Sequence, residues 1–359
     1  MLSGILRWSK LAALTWWAGT FWAFMLYGLA FVRTPTPFEA ILCTITGSLL
    51  VTIVHETGHA VAALACGWRV IVFSVWSVGL HLPTRTLAWQ RRGDEQGAYG
   101  YVVSAPRAPG AGTTVRWIWI VAGGPVACLL FAALALISWQ TWLRGIDTPR
   151  LIASNFGLAL AIQAFLSAFR SLLPHGESDG AKLIEAARPS QQWLEHRACS
   201  WMGTSLHYNV RLRDLPAWMV AAHRAIPHDD GGRHADGIDI GRALDAKQPD
   251  FVHARTLIDA YRARHGGSEW LDSCDAYLAA IGEGDAEAGA TRLWQGEPDS
   301  QMQSMQHAAR ASVCAAQGDA PGMDAELAAM RKAVRARSPY RNATFRDIER
   351  RIRAALRPA

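Results

Sequence analysis

His55, Glu56 and His59 sit inside the apolar run Val51 to Cys66, which reads VTIVHETGHAVAALAC. In an α-helix, positions i and i+4 share a face, so the two imidazoles can grip one ion. Glu56 lies beside that face, where its carboxylate can take a proton from a metal-bound water. The pattern H-E-x-x-H on a helix is a zinc-peptidase signature for this reason. With 12 His in 359 residues, chance gives such a pattern in roughly one or two of a hundred similar chains. The apolar context adds weight, because an ionisable cluster in a lipid-facing helix is costly and functional by default.

Two histidines do not complete a catalytic zinc site, which takes three protein ligands and a water. The candidates lie where a later apolar run ends, in Leu172-Leu-Pro-His-Gly-Glu-Ser-Asp-Gly180. His175 follows the proline, Glu177 precedes a helical stretch, and Asp179 opens it. From residue chemistry alone all three are able to bind zinc.

The elements that must position these groups divide the chain in two. Half of all residues are hydrophobic, yet the mean hydropathy is only +0.06. The apolar residues are therefore concentrated, up to about Pro174, and a charged, Ala-rich part follows. Leu11 to Val32 is long enough to span a bilayer, which takes about 20 residues, and reads as an uncleaved anchor with no A-x-A site after it. The turn Arg33-Thr-Pro-Thr-Pro37 breaks it. Phe38 to Cys66 is a second span and carries the motif, with Gly67 as its stop. Val115 to Leu143 and Leu151 to Leu173 are the third and fourth.

Between the second and third spans, residues 68–114 change pattern. Val70 to Leu82 and Gly97 to Ala105 read as strands, with a polar loop bearing Arg85, Arg91 and Arg92 between them. After Pro189, apolar residues recur at helical spacing over Ile238–Lys247, Phe251–His265, Trp270–Ile281, Met302–Gln317 and Met323–Arg337. The expected fold class is mostly α: a polytopic membrane core of about four transmembrane helices with a small β-hairpin region, and a soluble helical domain. The expected boundaries are 1–189 for a transmembrane metalloprotease domain and 190–359 for the soluble part. Helix pairs of this size suggest a tetratricopeptide-like array, though no clean 34-residue period emerges, and a plain bundle fits equally.

Charge sets the orientation. The net charge is +6, but no basic face interleaves with aromatics, so nucleic acid is not an expected partner. Arg7, Lys10, Arg69, Arg85, Arg91, Arg92, Arg107 and Arg116 fall on one side of the spans, against Arg33, Arg144 and Arg150 on the other. The positive-inside rule places both termini and the β-region in the cytoplasm of a multi-pass cell-membrane protein, a bacterial inner membrane fitting best. His59 then lies about 10 Å, and His55 about 16 Å, below the cytoplasmic end of the helix. The six cysteines form no C-x-x-C pair or disulfide framework, and those in apolar runs read as small buried hydrophobes.

The chain resembles the site-2 protease family of intramembrane zinc metalloproteases. That family carries H-E-x-x-H on one helix, a G-P turn on the next, and N-x-x-P-x-x-x-x-D-G on a third. Here Gly124-Pro125 matches the middle motif, and Ser171-Leu-Leu-Pro174-His-Gly-Glu-Ser-Asp179-Gly180 keeps the proline, aspartate and glycine. The match covers roughly Thr44 to Leu183. It implies Zn2+ held by His55, His59 and Asp179, with Glu56 as general base. Ser171 stands where the family has asparagine, and Cys128 where an asparagine often follows the G-P turn. The implied substrates are membrane-anchored proteins cut in or near a transmembrane segment. Substrate-contact candidates are Gly124, Pro125, Ser171 and the strand region Val70 to Ala105, whose edge can hold an unwound segment. The helical C-terminal part lies outside the resemblance and is expected to serve protein partners.

Two alternatives stand beside this reading. One is a catalytically silent client-binding protein of the same fold, against which the intact Glu56 speaks. The other is an H-E-x-x-H membrane peptidase of the prenyl-peptide type, which wants a downstream glutamate ligand in an E-x-x-x-D-like helix; Glu185 is the nearby glutamate and lacks the aspartate partner.

Overall fold

The computed structural model describes residues 37–89, 100–108, 111–143, 148–176, 178–187, 193–225, 229–296, 302–337 and 342–356. The expected first span, Leu11 to Val32, lies outside them, as does Glu177. The fold is mostly helical, at 74 %, with one small antiparallel sheet.

Helix α1 (Pro37–Ala65) contains the H-E-x-x-H motif. Its end is set by Gly67 at φ 80°, a left-handed residue that closes a helix without a Cβ penalty. Helix α2 (Thr114–Ser138) is capped by the Thr113 side chain, which accepts from the Arg116 amide, and runs into a short π-helical turn at Trp139–Leu143. Helix α3 (Thr148–Leu172) completes a three-helix layer in which every pair packs. The second, third and fourth apolar runs thus become three helices within a few residues of the expected bounds. Two stretches, Ile41–Ala65 and Thr114–Thr141, have the length and apolar composition to cross a membrane, and Phe156–Leu172 is a shorter apolar helix.

The β-region is richer than a hairpin. Strands β1 (Trp68–Val75), β2 (Val78–His81), β3 (Thr86–Trp89) and β4 (Gly100–Pro106) form one sheet in the order β3-β2-β1-β4. The run Val70 to Leu82, read as one strand from its β-branched content, is folded at Trp76 and Ser77. Val75 pairs with Val78 across this two-residue turn, and Trp76 takes φ 55°. No Gly or Asn marks that turn, so composition alone could not reveal it. Likewise β3 occupies part of the stretch read as a polar loop. It is short and its Leu87 and Trp89 are exposed, so it lacks the buried alternation that identifies a strand.

Ten further α-helices follow among the described residues: α4 (Asp179–Ala187), α5 (Trp193–His207), α6 (Ala217–Arg224), α7 (Asp229–Asp245), α8 (Phe251–His265), α9 (Glu269–Tyr277), α10 (Ala286–Arg292), α11 (Gln303–Ala316), α12 (Ala320–Arg337) and α13 (Ala343–Ala355), the first of them attached to the three-helix layer and the rest beyond it. Short polar caps start several of them: Asp250, Ser268, Asp285 and Asn342 each accept from amides in the first turn. Helix α13 falls outside the helical stretches expected from the sequence; it is short and of its residues Ile348 and Ile352 are buried.

The sheet and the C-terminal part share a core across the expected 189/190 boundary. Trp68, fully buried, stacks on Trp117 at 5.4 Å and meets Trp201 of α5 edge-on at 4.9 Å. Its indole N–H donates to the Ala111 carbonyl at 2.6 Å. Met202, Tyr208, Leu215 and Met219 continue this cluster against Val70, Ile71 and Val72. Aromatic pairs of this kind add about 0.5–1.5 kcal/mol each beyond the area they bury.

Many arginines of the C-terminal part lie in ion networks. The carboxylate of Asp275, only 1 % exposed, receives Arg262 at 2.8 Å and Arg292 at 3.0 Å, with Arg255 on the same carboxylate. Burial raises the Asp275 pKa, but the hydrogen bonds from Arg255 and Arg262 outweigh it and hold the carboxyl below its ordinary value. Because the folded-state pKa is depressed, this contribution is full above the ordinary carboxylate range and is lost as pH falls through the folded value. Asp275→Asn therefore costs about 3 kcal/mol by leaving the guanidiniums without their buried counter-charge. Thermal unfolding followed by tryptophan fluorescence should show the loss at neutral pH and a shallower fall in stability below the carboxylate range.

Candidate metal centre

Three donor atoms converge where α1 meets the start of α4. His55 Nε2 lies 3.1 Å from His59 Nε2 and 3.1 Å from Asp179 Oδ2, and His59 Nε2 lies 3.5 Å from the same oxygen. Among the described residues this is the group of three His, Cys, Asp or Glu side chains able to hold a metal ion. Around a tetrahedral ion with bonds near 2.0–2.1 Å, neighbouring ligand atoms stand about 3.3 Å apart. The three spacings match that edge, so the donor set fits a small divalent cation of this geometry. The imidazole rings are nearly perpendicular, at 81°, which lets both Nε2 lone pairs point at one place.

Each ligand has its own support. His59 Nδ1 donates to the Ile120 carbonyl at 2.8 Å, which puts the remaining lone pair on Nε2. His55 Nδ1 lies 3.4 Å from Cys128 Sγ.

Asp179 is free to face the histidines because Ser178 does the capping. The Ser178 hydroxyl accepts from the Ala181 amide at 3.3 Å and from the His175 amide at 3.0 Å, and donates to the Leu173 carbonyl at 2.7 Å. A single serine therefore ties the end of α3 to the start of α4. Gly180 is equally required, since a Cβ there would lie 1.9 Å from the Leu172 carbonyl oxygen. Burial pushes the Asp179 pKa up, but hydrogen bonds with His55 and His59 more than offset this and hold it well below the usual carboxylate range. It is held ionised at neutral pH, the form in which a carboxylate could bind a cation. Ser178 was missed in the sequence; its signal was a serine two residues after a glycine and just before a helix.

The other candidates are placed elsewhere. His175 is exposed and its Nδ1 donates to the Leu173 carbonyl at 2.9 Å. Ser171 donates to the Ala168 carbonyl at 2.9 Å within its own helix. Glu185 is 58 % exposed and pairs with Arg197.

Gly124 and Pro125, considered for substrate contact, are buried behind the metal ligands. A Cβ on Gly124 would stand 2.4 Å from His59 Nε2 and 2.7 Å from His55 Nε2. The glycine is the space in which the two imidazoles meet. Next to it in sequence, Gly123 meets Gly58 in backbone contact between α1 and α2: a Cβ on Gly58 would lie 2.3 Å, and one on Gly123 2.6 Å, from the other's carbonyl oxygen.

Glu56 is 6 % exposed. Gly100, the first residue of β4, lies directly on it, so close that a Cβ would come within 2.8 Å of Glu56 Cγ and of Thr52 Cγ2. The strand region is thus brought to the carboxylate, while most of its length packs on α5 and the end of α1.

Replacing single residues separates these roles. Asp179→Ala and Gly124→Ala should each lower the zinc or cobalt bound per chain by tenfold or more, the usual scale for losing or displacing a ligand's support. His175→Ala should leave it unchanged. Metal content after equilibrium dialysis reads all three, and retention by Asp179→Ala together with loss in His175→Ala would reverse the assignment.

Compared with known proteins, the chain matches no family model, no curated protein and no solved structure.

Proposed function

We propose that the protein is an intramembrane zinc metalloprotease of the site-2 protease type, cutting membrane-anchored clients in or near a transmembrane segment. The observation that carries this reading is the convergence of His55, His59 and Asp179 at zinc-ligand spacing beside a buried glutamate, on helices whose outward faces are apolar. Phe38, Ile41, Leu42 and Leu64 of α1, Leu130, Leu134 and Ile137 of α2, and Phe165 and Phe169 of α3 are all exposed. Such a surface is stable against hydrocarbon and not against water. Two histidines and an aspartate set at its inner side are then worth their desolvation only if they do chemistry.

Zinc, when bound, supplies a water of lowered pKa and a Lewis acid for the scissile carbonyl. The protein's own part follows from its residues. His55, His59 and Asp179 hold the ion, each oriented by its partner: the Cys128 sulfur, the Ile120 carbonyl and the Ser178-capped helix start. Glu56 takes a proton from the attacking water and delivers it to the leaving amine. Its burial under Gly100 keeps bulk water from competing for the carboxylate.

A transmembrane client keeps its peptide bonds in its own helix, so it must unwind to react. Among the described residues strand β4 pairs with β1 on one side only, and its other side is the edge proposed to take an extended segment. Because Gly100 touches Glu56, a segment added there passes close to the general base. The four-span core, cytoplasmic termini, inner-membrane location and tetratricopeptide-like array of residues 190–359 belong to the same proposal. In it, the helical array serves as a surface for protein partners.

Glu56→Gln is the decisive variant. It keeps shape and burial but cannot take the proton, so client cleavage should fall by at least a hundredfold, the low end of what a general base contributes, while zinc content and membrane insertion persist. Co-expression with a panel of single-span clients, read by immunoblot beside zinc analysis, checks both. Cleavage of the same client at wild-type rate by Glu56→Gln would overturn the proposal.

A further inference from the structure

Cys128 stands behind His55 at the point where three helices meet. It is fully buried and packs with Val51 of α1, Ala132 of α2, and Ala164 and Ala168 of α3. Its sulfur lies 3.4 Å from His55 Nδ1 and 3.9 Å from the Val51 carbonyl oxygen, and the Ser167 side chain of α3 also interacts with it. Composition makes this residue a small hydrophobe in an apolar run, yet the sulfur is in hydrogen-bond range of two polar groups at once.

The chemistry of the ring determines what those contacts are. For His55 Nε2 to offer a lone pair to an ion, the proton of the neutral imidazole must be on Nδ1. That N–H lies where Cys128 and its mainly apolar neighbours bury it, and an unmet donor there is costly. The Cys128 sulfur accepts it, and the thiol's own hydrogen passes to the Val51 carbonyl. The result is a closed relay, His55 Nδ1–H to Cys128 Sγ–H to Val51 C=O, in which every donor has an acceptor. His59 achieves the same end through a backbone carbonyl. A carbonyl comes with any helix, whereas His55 depends on one side chain.

We propose that Cys128 is a positioning residue that fixes the tautomer and the ring orientation of His55. This rests on the metal-peptidase reading above. The thiol touches neither the ion nor a substrate; it acts through the imidazole. It is also a weaker acceptor than a carboxylate or carbonyl, so His55 is the less firmly held of the two histidine ligands. Valine keeps the volume of cysteine and removes the acceptor, alanine removes both, and serine or asparagine restores an oxygen acceptor at the same place.

The test uses the full chain in detergent, titrated with Zn2+ and with Co2+. Cys128→Val and Cys128→Ala should bind zinc 10- to 100-fold more weakly, the range seen when the outer partner of a ligating histidine is removed. Cys128→Ser should recover most of that loss. The visible d–d spectrum of bound Co2+ should change in the valine and alanine variants and return toward wild type in the serine variant. Repacking of the helices alone would not distinguish serine from alanine in this way. If Cys128→Val does not fold, the alanine and serine pair decides. Equal affinities and spectra for alanine, serine and wild type overturn the inference while leaving the metal centre standing. A wild-type chain that takes up neither ion overturns the metal-peptidase reading itself, and this inference with it.

Discussion

The backbones of α1 and α2 touch at Gly58 and Gly123, and one residue on, Gly124 leaves a gap into which His55 and His59 both point. Everything at the candidate metal centre depends on this close approach. Side chains of ordinary size at the crossing would hold the helices farther apart, as they do in most helix pairs. At that distance the Ile120 carbonyl could not reach His59 Nδ1, nor the Cys128 sulfur His55 Nδ1. Glycine in mid-helix costs roughly 0.5–1 kcal/mol relative to alanine. Here that cost is accepted in return for a site in which neighbouring backbone and side chains can orient both imidazoles.

The second requirement is to bring a carboxylate to the pair from another part of the chain. The link between α3 and α4 does so without a long side chain. Gly180 lets the first turn of α4 sit on the last carbonyls of α3, Ser178 pins the two ends together, and the Asp179 carboxylate is left to face His55 and His59. The site is therefore built at helix ends and crossings, where backbone groups are rigidly placed, and not on a mobile loop. Rigid placement suits a ligand set whose donor atoms must agree to a few tenths of an ångström.

The four-stranded sheet joins this centre to the C-terminal helices. At one end, Gly100 of β4 lies on Glu56; at the other, Trp68 of β1 anchors the tryptophan cluster that includes Trp201 of α5. Because β1 and β4 are neighbours in the sheet, the carboxylate and the aromatic core are linked through one small rigid element. Beyond it, the helices from α7 onward form their own core around Ile258, Tyr277 and Leu327. Buried aspartates with arginine partners, Asp245 and Asp275, crosslink these helices and pair with part of their positive charge.

How much of this was legible in the sequence follows from the range of the forces involved. His55, Glu56 and His59 share a helix, so their relation is fixed by the 3.6-residue repeat within one turn, and spacing alone placed them. The helices α1, α2 and α3 were legible because long apolar runs bounded by proline, glycine and charge leave few other solutions. The interval from Pro174 to Asp179 marked the third ligand only through resemblance, since His175 was chemically equal until the fold turned it to the Leu173 carbonyl. The partnership of Cys128 with His55, 73 residues away, left no local signal. Neither did the hinge at Trp76, the strand Thr86–Trp89, or the role of Gly124 as room for two imidazoles. These depend on which helix faces meet and how closely, and only tertiary packing decides that, because it brings together groups that no local repeat connects.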